Sequence, residues 1–210
     1  MRSRLVLATL FLGVAAQAHS QTVPDAFESP TRFSAGIGVC GYNDAYHDPG
    51  TNPYPAGVME GATIWLDFYL NMGPAFLHGL GVEGEVRDIS LGRNSNQPSN
   101  LREDTGGGGA IYSWRHYHRF TPFAKFMWEQ GSVDFKGVPG YNHDDRDLRA
   151  LGVGINYRIS PNVRVRAEYE EQSWQRLFVN YKVTPITFFD LKPRGVTVGV
   201  SYNIRFRHQH

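Results

Sequence analysis

The sequence has almost no cysteine and, after its first twenty residues, no long apolar run. Cys40 is the only cysteine among 210 residues, so an internal disulfide is excluded and strand closure and packing must hold the fold. No segment beyond residue 20 approaches the roughly 18 apolar residues of a membrane helix. This composition excludes a helical membrane protein. It does not exclude a membrane β-barrel, because half of each strand in such a barrel faces the lumen.

The chain also lacks an excess of charge of either sign. It has 21 basic and 20 acidic residues, and loss of a leader containing Arg2 and Arg4 would leave the two signs nearly balanced. Proteins that bind nucleic acid carry a basic patch or stripe. We therefore expect no nucleic-acid partner.

The first twenty residues have the pattern of a signal peptide. Arg2 and Arg4 give a positive start, an apolar run follows from Leu5 to Ala16, and small residues near Ala18 and Ser20 offer a cleavage site. The apolar run is too short for a membrane anchor. The sequence predicts that residues 1–20 are removed on export and that residues 21–210 form one domain.

The clearest alternation lies in residues 151–171. Apolar residues recur at every second position and the positions between them are small or charged, which is the period of a half-buried strand. Pro161 fixes φ and Asn162 tolerates tight backbone, so residues 159–162 have the chemistry of a turn. The stretch predicts two antiparallel strands joined as a hairpin.

Six further alternating runs bring the predicted number of strands to eight. They lie at 33–42, 62–71, 79–91, 107–116, 120–130 and 195–206, and the connections between strands are alternately long and short. In an up-and-down barrel all long connections then gather at one end. Short turns at one end and long loops at the other are typical of outer-membrane barrels, whose strands need roughly 9–11 residues. The fold class predicted is all-β, an eight-stranded antiparallel up-and-down transmembrane β-barrel.

Alternation alone leaves a second barrel open. A soluble barrel with an apolar interior has the same period of two, with its faces reversed. Such a protein would be a periplasmic carrier of an apolar ligand. The difference in loop length between the two ends favours the membrane barrel.

Two segments carry a resemblance to a known family. GVGINYRISPNVRVRAEYE at 152–170 and GVTVGVSYNIRF at 195–206 resemble the OmpA-like and related small outer-membrane β-barrel domains. The resemblance implies an eight-stranded barrel folded into the outer membrane, with its N-terminus on the periplasmic side. We expect the source to be a diderm bacterium and the barrel to be a monomer. The partners that the resemblance implies are outer-membrane lipids, lipopolysaccharide and the barrel-assembly machinery. Such barrels commonly end on an aromatic residue, whereas Phe206 is followed here by Arg207 to His210. We expect no peptidoglycan-binding domain and no role in tethering the cell wall.

With the apolar face toward lipid, ten charged residues face the predicted lumen. The interior of an eight-stranded barrel is just wide enough for side chains, and each unpaired buried charge costs roughly several kcal/mol. We therefore predict an ion-pair network that fills the lumen, with a narrow pore for ions or solutes as the alternative. The residues are Asp67, Glu83, Glu85, Arg87, Lys125, Glu129, Arg164, Arg166, Glu168 and Glu170.

Aromatic residues are predicted at the two membrane interfaces, because amphipathic rings prefer the level of the lipid headgroups. Trp65 and Tyr69 have the parity of the lumen and are candidates for packing inside instead. The predicted interface residues are Tyr112, Trp114, Phe126, Trp128, Tyr157, Tyr169, Tyr202 and Phe206.

The sequence contains no convincing catalytic or metal site. Ser113 and His116 are three apart on one predicted strand, so they point to opposite faces and cannot form a nucleophile and base without a bulge. The basic turn 115–119 has no acidic or thiol partner for a metal. We expect no cofactor, no metal and no catalysis, and a structural or surface-interaction role in the outer membrane. A lipid-modifying outer-membrane enzyme remains an alternative.

Overall fold

The computed structural model describes residues 33–43, 58–70, 77–91, 100–114, 119–136, 143–179 and 187–204. Nearly all of these residues lie in β-strands. No helix within these ranges is long and apolar enough to cross a membrane. The strands are β1 Phe33–Asn43, β2 Val58–Tyr69, β3 Leu80–Leu91, β4 Asn100–Ser113, β5 Phe120–Lys136, β6 His143–Arg158, β7 Val163–Val179, β8 Thr187–Leu191 and β9 Arg194–Ile204.

The strands close into one antiparallel barrel. Each of β1 to β7 pairs with the next strand along the chain. β9 closes the wall by pairing with both β1 and β7, with Ile37 opposite Val200 and Val165 opposite the same residue. The prediction of an eight-stranded, up-and-down antiparallel β-barrel is confirmed.

β8 and β9 share one position in the wall. β8 pairs with the C-terminal part of β7, with Leu177 opposite Phe189. β9 pairs with the N-terminal part of β7. The interruption falls at Pro193, which has no N–H to donate to the ladder. Its carbonyl oxygen instead accepts a hydrogen bond from the backbone N–H of Gln172, at 2.9 Å.

The two ends of the barrel are distinguished by the connections between the strands. Residues 159–162 form the predicted tight turn, in which the backbone N–H of Val163 donates to Ser160 Oγ at 3.1 Å. We call this end of the barrel, where β6 ends and β7 begins, the turn end. The opposite end, where β1 ends at Asn43 and β3 ends at Leu91, is the loop end.

Several strands are longer at the loop end than predicted. The predicted strands 79–91, 107–116 and 120–130 leave residues 92–106 and those after 130 as connections, but β4 begins at Asn100, β5 runs to Lys136 and β6 begins at His143. β7 likewise continues to Val179, past residue 171, where the predicted hairpin ends. The ladder here extends past the apolar belt, so its outward positions are polar and the alternation that marks a membrane strand is lost.

The barrel is apolar outside and polar inside along its middle. Ile37, Val86 and Leu151 face outward and are more than 60% exposed. Inward positions on the same strands hold buried polar and charged residues. A soluble barrel that carries an apolar ligand would need the opposite arrangement, so that alternative is wrong.

Three groups of buried side chains lie in the described interior. A turn-end cluster consists of Tyr69, Ile111 and Phe123. Next comes a charged layer, which we define as Asp67, Glu83, Glu85, Arg87, Lys125, Glu129, Arg166, Glu168 and Glu170, all no more than 5% exposed. The third group is a loop-end cluster of Cys40, Tyr42, Met59, Ile89, Val133, Leu148 and Trp174.

Glycine makes room for the large inward side chains. The narrow interior leaves little room beside its bulkiest side chains, and a glycine on a neighbouring strand supplies it. Trp65 accordingly lies opposite Gly36, and a Cβ at Gly36 would collide with the indole. The same relation joins Tyr42 with Gly195, Tyr69 with Gly81, Phe123 with Gly154 and Lys125 with Gly152.

Candidate functional site

The charged layer is the largest polar assembly in the described lumen. β3 supplies Glu83, Glu85 and Arg87 at successive inward positions, because residues two apart on a strand share a face. β2, β5 and β7 supply the others in the same way. The period of two in the sequence therefore places all nine side chains on the inner wall, and closure of the barrel brings them together.

Lys125 of β5 lies at the centre of the layer. Its Nζ is 3.1 Å from Glu83 Oε1, 2.6 Å from Glu168 Oε1 and 3.0 Å from Glu170 Oε2, and it also contacts Glu85 Oε2. The carboxylates of Glu85, Glu168 and Glu170 lie close enough together to hold a metal ion, but the Lys125 ammonium contacts all three. These contacts tie β5 to β3 and β7 across the lumen.

Arg166 joins the charged layer to the aromatic side chains beneath it. Its Nη2 is 2.7 Å from Glu83 Oε2 and 3.5 Å from Asp67 Oδ1. The guanidinium carbon also lies 4.7 Å from the ring centroid of Trp65 and 4.5 Å from that of Phe123. Carboxylates and ring faces thus both hold this buried cation.

Arg87 joins the charged layer to Tyr42 in the loop-end cluster. Its Nη2 is 2.6 Å from Glu85 Oε1 and 2.9 Å from Glu170 Oε1, and its guanidinium carbon lies 4.8 Å from the ring centroid of Tyr42. The Tyr42 hydroxyl donates to Glu170 Oε1 at 2.9 Å. Tyr42 therefore belongs both to the loop-end cluster and to the network.

Neutral donors complete the network. Ser34 Oγ donates to Asp67 Oδ2 and Thr63 Oγ1 to Glu85 Oε1, both at 2.7 Å. Gln172 Nε2 donates to Glu170 Oε1 at 3.2 Å. Sequence reasoning considered charged residues only and missed these partners, although their lumen parity was a usable signal.

Two predicted lumen residues differ from the others. Arg164 is only half-buried and lies near the turn end of β7, opposite Arg158, where the interior opens toward solvent. Glu129 is 1% exposed, yet neither of its carboxylate oxygens has a hydrogen-bond partner among the described residues. The other eight predicted charges are brought together by the contacts given above.

The predicted interface aromatics lie on the outward face wherever they are described. Trp114, Phe126, Trp128, Tyr169 and Tyr202 are exposed. Tyr112 and Tyr157 are half-exposed near the turn end. Phe206 lies outside the described residues. Trp65 and Tyr69, whose parity suggested the interior, are each 1% exposed and lie in the lumen.

Polar residues replace the apolar ones on the outer wall toward the loop end. Arg102 donates to Asp88 Oδ1 at 3.1 Å and Oδ2 at 2.9 Å, and to Asp104 Oδ1 at 3.2 Å. The hydrogen bonds to Asp88, with the charge of Asp104, raise the pKa of the exposed Arg102 guanidinium. A groove of about 870 Å³ follows the same region of the wall, and Asp88, Asp104, Gln130, Asp145 and Asp147 are among its lining residues.

The hydrolase pair considered from sequence is only partly described. The Ser113 hydroxyl is buried and lies 3.0 Å from the Tyr69 hydroxyl, with which it shares a hydrogen bond. His116 lies outside the described residues. The absence of catalysis therefore stays a prediction.

Solved outer-membrane barrels share this fold. The chain matches Neisserial surface protein A with a TM-score of 0.56 at 14% identity, covering 82% of this chain and 97% of that one. It matches the attachment invasion locus protein Ail of Yersinia pestis with a TM-score of 0.54 at 15% identity, covering 82% and 97%. It matches OprG of Pseudomonas aeruginosa with a TM-score of 0.56 at 9% identity, covering 84% and 97%.

These likenesses establish the fold alone, and a comparison with curated protein sequences finds no match. The family model of the outer membrane protein beta-barrel domain matches residues 5–203, almost the whole chain. Together with the closed wall and its apolar outer face, this match shows that the chain belongs to the outer membrane β-barrel domain family and is a protein of the outer membrane.

Proposed function

We propose that this barrel does not conduct and that it has a structural and surface-interaction role in the outer membrane. The observation that carries the proposal is the charged layer. Lys125 reaches across the lumen to β3 and β7, and Arg166 links β7 to β2 and β3. Side chains from opposite sides of the wall therefore meet in the middle of the barrel.

The energetics of the layer support a closed lumen. A permeating ion would have to separate buried partners, and removing one member of a buried ion pair typically costs about 3–5 kcal/mol. The ion would also have to pass the turn-end cluster and the loop-end cluster, whose mostly apolar side chains pack in its path and offer it few ligands. An ion-pair network that fills the lumen is therefore favoured over a narrow pore.

The partners that we propose contact the outer surface of the barrel. Exposed apolar residues on the membrane-facing wall support contact with outer-membrane lipids and lipopolysaccharide. We propose that the barrel-assembly machinery inserts the chain as a monomer after cleavage of residues 1–20. We further propose that the connections 44–57, 92–99, 137–142 and 180–186, all at the loop end, face the outside of the cell and contact its surroundings.

Solute uptake by proteoliposomes tests the closed lumen. Liposomes that contain the refolded barrel should swell in KCl or small sugars no faster than empty liposomes, whereas a known porin reconstituted in parallel should swell fast. Swelling that rises with the amount of barrel would contradict the proposal.

Epitope insertion tests the orientation. A short tag inserted after residue 95 should be detected by antibody on intact cells, and the same tag inserted after Pro161 should be detected only after the outer membrane is permeabilised. The reverse labelling pattern would show that the loop end faces the periplasm. Unchanged lipid A species in the same cells are expected if the barrel has no lipid-modifying activity, and a new species would revive the enzyme alternative.

A further inference from the structure

Two carboxyl groups of the charged layer, those of Asp67 and Glu83, face each other on neighbouring strands. Asp67 of β2 and Glu83 of β3 are directly opposed in the ladder, and both side chains are no more than 3% exposed in the lumen. Opposed residues of an antiparallel pair have Cβ atoms roughly 4.5–5.5 Å apart. The two carboxyl groups are in hydrogen-bonding contact with each other.

This contact requires a proton. An ionised carboxylate only accepts hydrogen bonds, so two carboxylates cannot form one between themselves. Like charges that lie directly opposite each other also destabilise a sheet, and two carboxyl groups that share a buried site do not both ionise readily. One member of the pair is therefore expected to be a neutral acid.

The surrounding cations favour Glu83 as the ionised member. Glu83 Oε2 lies 2.7 Å from Arg166 Nη2, and Glu83 Oε1 lies 3.1 Å from Lys125 Nζ. Asp67 Oδ1 has a longer contact with the same Arg166 nitrogen, at 3.5 Å. The shorter contacts with cations belong to Glu83, so the proton is expected on Asp67.

The two oxygens of Asp67 have the partners that a neutral acid needs. A protonated carboxyl group has one oxygen that donates and one that only accepts. Ser34 Oγ donates to Asp67 Oδ2 at 2.7 Å, so Oδ2 is the accepting oxygen. Oδ1 is left to carry the proton.

Charged and titratable groups on the neighbouring strands surround the pair. Lys125 Nζ also lies 2.6 Å from Glu168 Oε1, and Arg166 Nη1 lies 3.7 Å from Glu168 Oε2. Both cations are thus shared with a further carboxylate, which leaves neither to balance Asp67 as a second anion beside Glu83. The groups around the pair are Ser34 on β1, Tyr69 on β2, Glu85 on β3, Lys125 on β5, and Arg166 and Glu168 on β7.

We propose that Asp67 carries a proton in the folded barrel and donates it in a hydrogen bond to the Glu83 carboxylate, which makes the pair a proton-sensitive link between β2 and β3. While the proton is held, the hydrogen bond joins the two strands. Loss of the proton at higher pH leaves two opposed anions beside one guanidinium nitrogen, so the link becomes repulsive. This inference does not depend on whether the charged layer closes the lumen.

Urea unfolding of Asp67→Asn in detergent tests the link. Asparagine resembles the neutral acid, because its NH₂ group donates and its oxygen still accepts from Ser34. An unfolded chain releases an aspartate proton at about pH 4, whereas the folded wild type keeps it. The wild type therefore loses stability as the pH rises above that value, and Asp67→Asn is spared this loss. Relative to the wild type, the urea midpoint of Asp67→Asn should rise between about pH 5 and about pH 9.

Infrared spectroscopy in D₂O detects the proton itself, because a neutral carboxyl group has a C=O stretching band that a carboxylate lacks. The folded wild type should show this band at neutral pH, and the band should be weaker in Asp67→Asn. Asp88→Asn is the matched control, since it changes an exposed carboxylate on the outer wall of β3 and should leave the band unchanged.

Glu83→Gln distinguishes the two members of the pair. It removes the anion that Arg166 and Lys125 both contact, so it should unfold at a lower urea concentration than the wild type or fail to refold. The proposal is overturned if Asp67→Asn keeps the full infrared band, follows the pH dependence of the wild type, or is destabilised as much as Glu83→Gln. Failure of Asp67→Asn to refold also overturns it, because this variant keeps the shape and the donor of the neutral acid. Swelling of proteoliposomes, which would contradict the closed lumen, leaves these results unaffected.

Discussion

The indole of Trp65 on β2 lies directly over Gly36 of β1, so the glycine supplies the space that one of the two lumen tryptophans occupies. The Arg166 guanidinium also lies over the indole ring, 4.7 Å from its centroid. One glycine thus positions an aromatic ring that in turn supports a buried cation of the network.

Gly36→Ala is expected to destabilise the barrel. The added methyl would collide with the Trp65 ring, and forcing extra atoms into a packed interior typically costs about 1–3 kcal/mol. Gly84→Ala on β3 is the matched control, because its Cβ would face outward with its nearest neighbour at 3.8 Å. The measurement is the urea midpoint for unfolding in detergent. Equal midpoints for the two variants would refute the packing argument.

Arg166→Met should destabilise the barrel more strongly. It leaves the carboxylates of Glu83 and Asp67 buried without this cation, and breaking a buried pair costs about 3–5 kcal/mol. Arg102→Met removes an exposed arginine that also pairs with two carboxylates, and we expect little change, because such pairs are solvated. Equilibrium unfolding monitored by the gel shift between folded and heated protein measures both. A stable Arg166→Met barrel would show that the network contributes little.

Tyr42→Phe isolates one hydrogen bond of the network. The ring and its packing against Gly195 remain, but Glu170 loses the donor at 2.9 Å. Loss of a buried bond to a charged acceptor should lower the free energy of unfolding by about 1–3 kcal/mol. Tyr202→Phe is the control: its exposed hydroxyl accepts only a long, solvated hydrogen bond from Asn162 Nδ2, at 3.4 Å, so the free energy of unfolding should change little. If both variants unfold alike, the Tyr42 hydroxyl does not support Glu170.

Tryptophan fluorescence distinguishes the two faces of the wall. Trp114 and Trp128 are exposed on the outer face, whereas Trp65 and Trp174 are at most 1% exposed in the lumen. In variants that keep a single tryptophan, lipids with brominated acyl chains should quench Trp128 strongly and Trp65 and Trp174 weakly. Strong quenching of Trp65 would mean that the faces are assigned the wrong way round.

The faces of the strands could be predicted from the sequence because parity follows directly from a period of two. Ile64 and Leu66 are exposed and Trp65 is buried, as their alternation indicates. Parity also suggested that Trp65 and Tyr69 pack inside although both are aromatic. No knowledge of the partner strands was needed for these assignments.

The ends of the strands and the contacts across the lumen could not be predicted. Glu103 and Thr105 alternate with Arg102 and Asp104, so all four positions are polar and the period disappears, although the first two are buried inside. The contacts of Lys125 with β3 and β7 depend on how the strands are staggered when the barrel closes. The loop-end cluster was missed for the same reasons, since its residues come from segments predicted as loops or from positions read as strand ends.

Single-channel recording in planar bilayers tests the central claim, that the charged layer and the two apolar clusters close the lumen. The refolded barrel, inserted in one direction and confirmed as folded by its gel shift, should give no current steps in 1 M KCl at either polarity. Arg166→Met should remain silent or unfold rather than open. Steady current steps from the wild type, with an ion selectivity that changes in Arg166→Glu, would contradict the claim and make this protein a narrow pore.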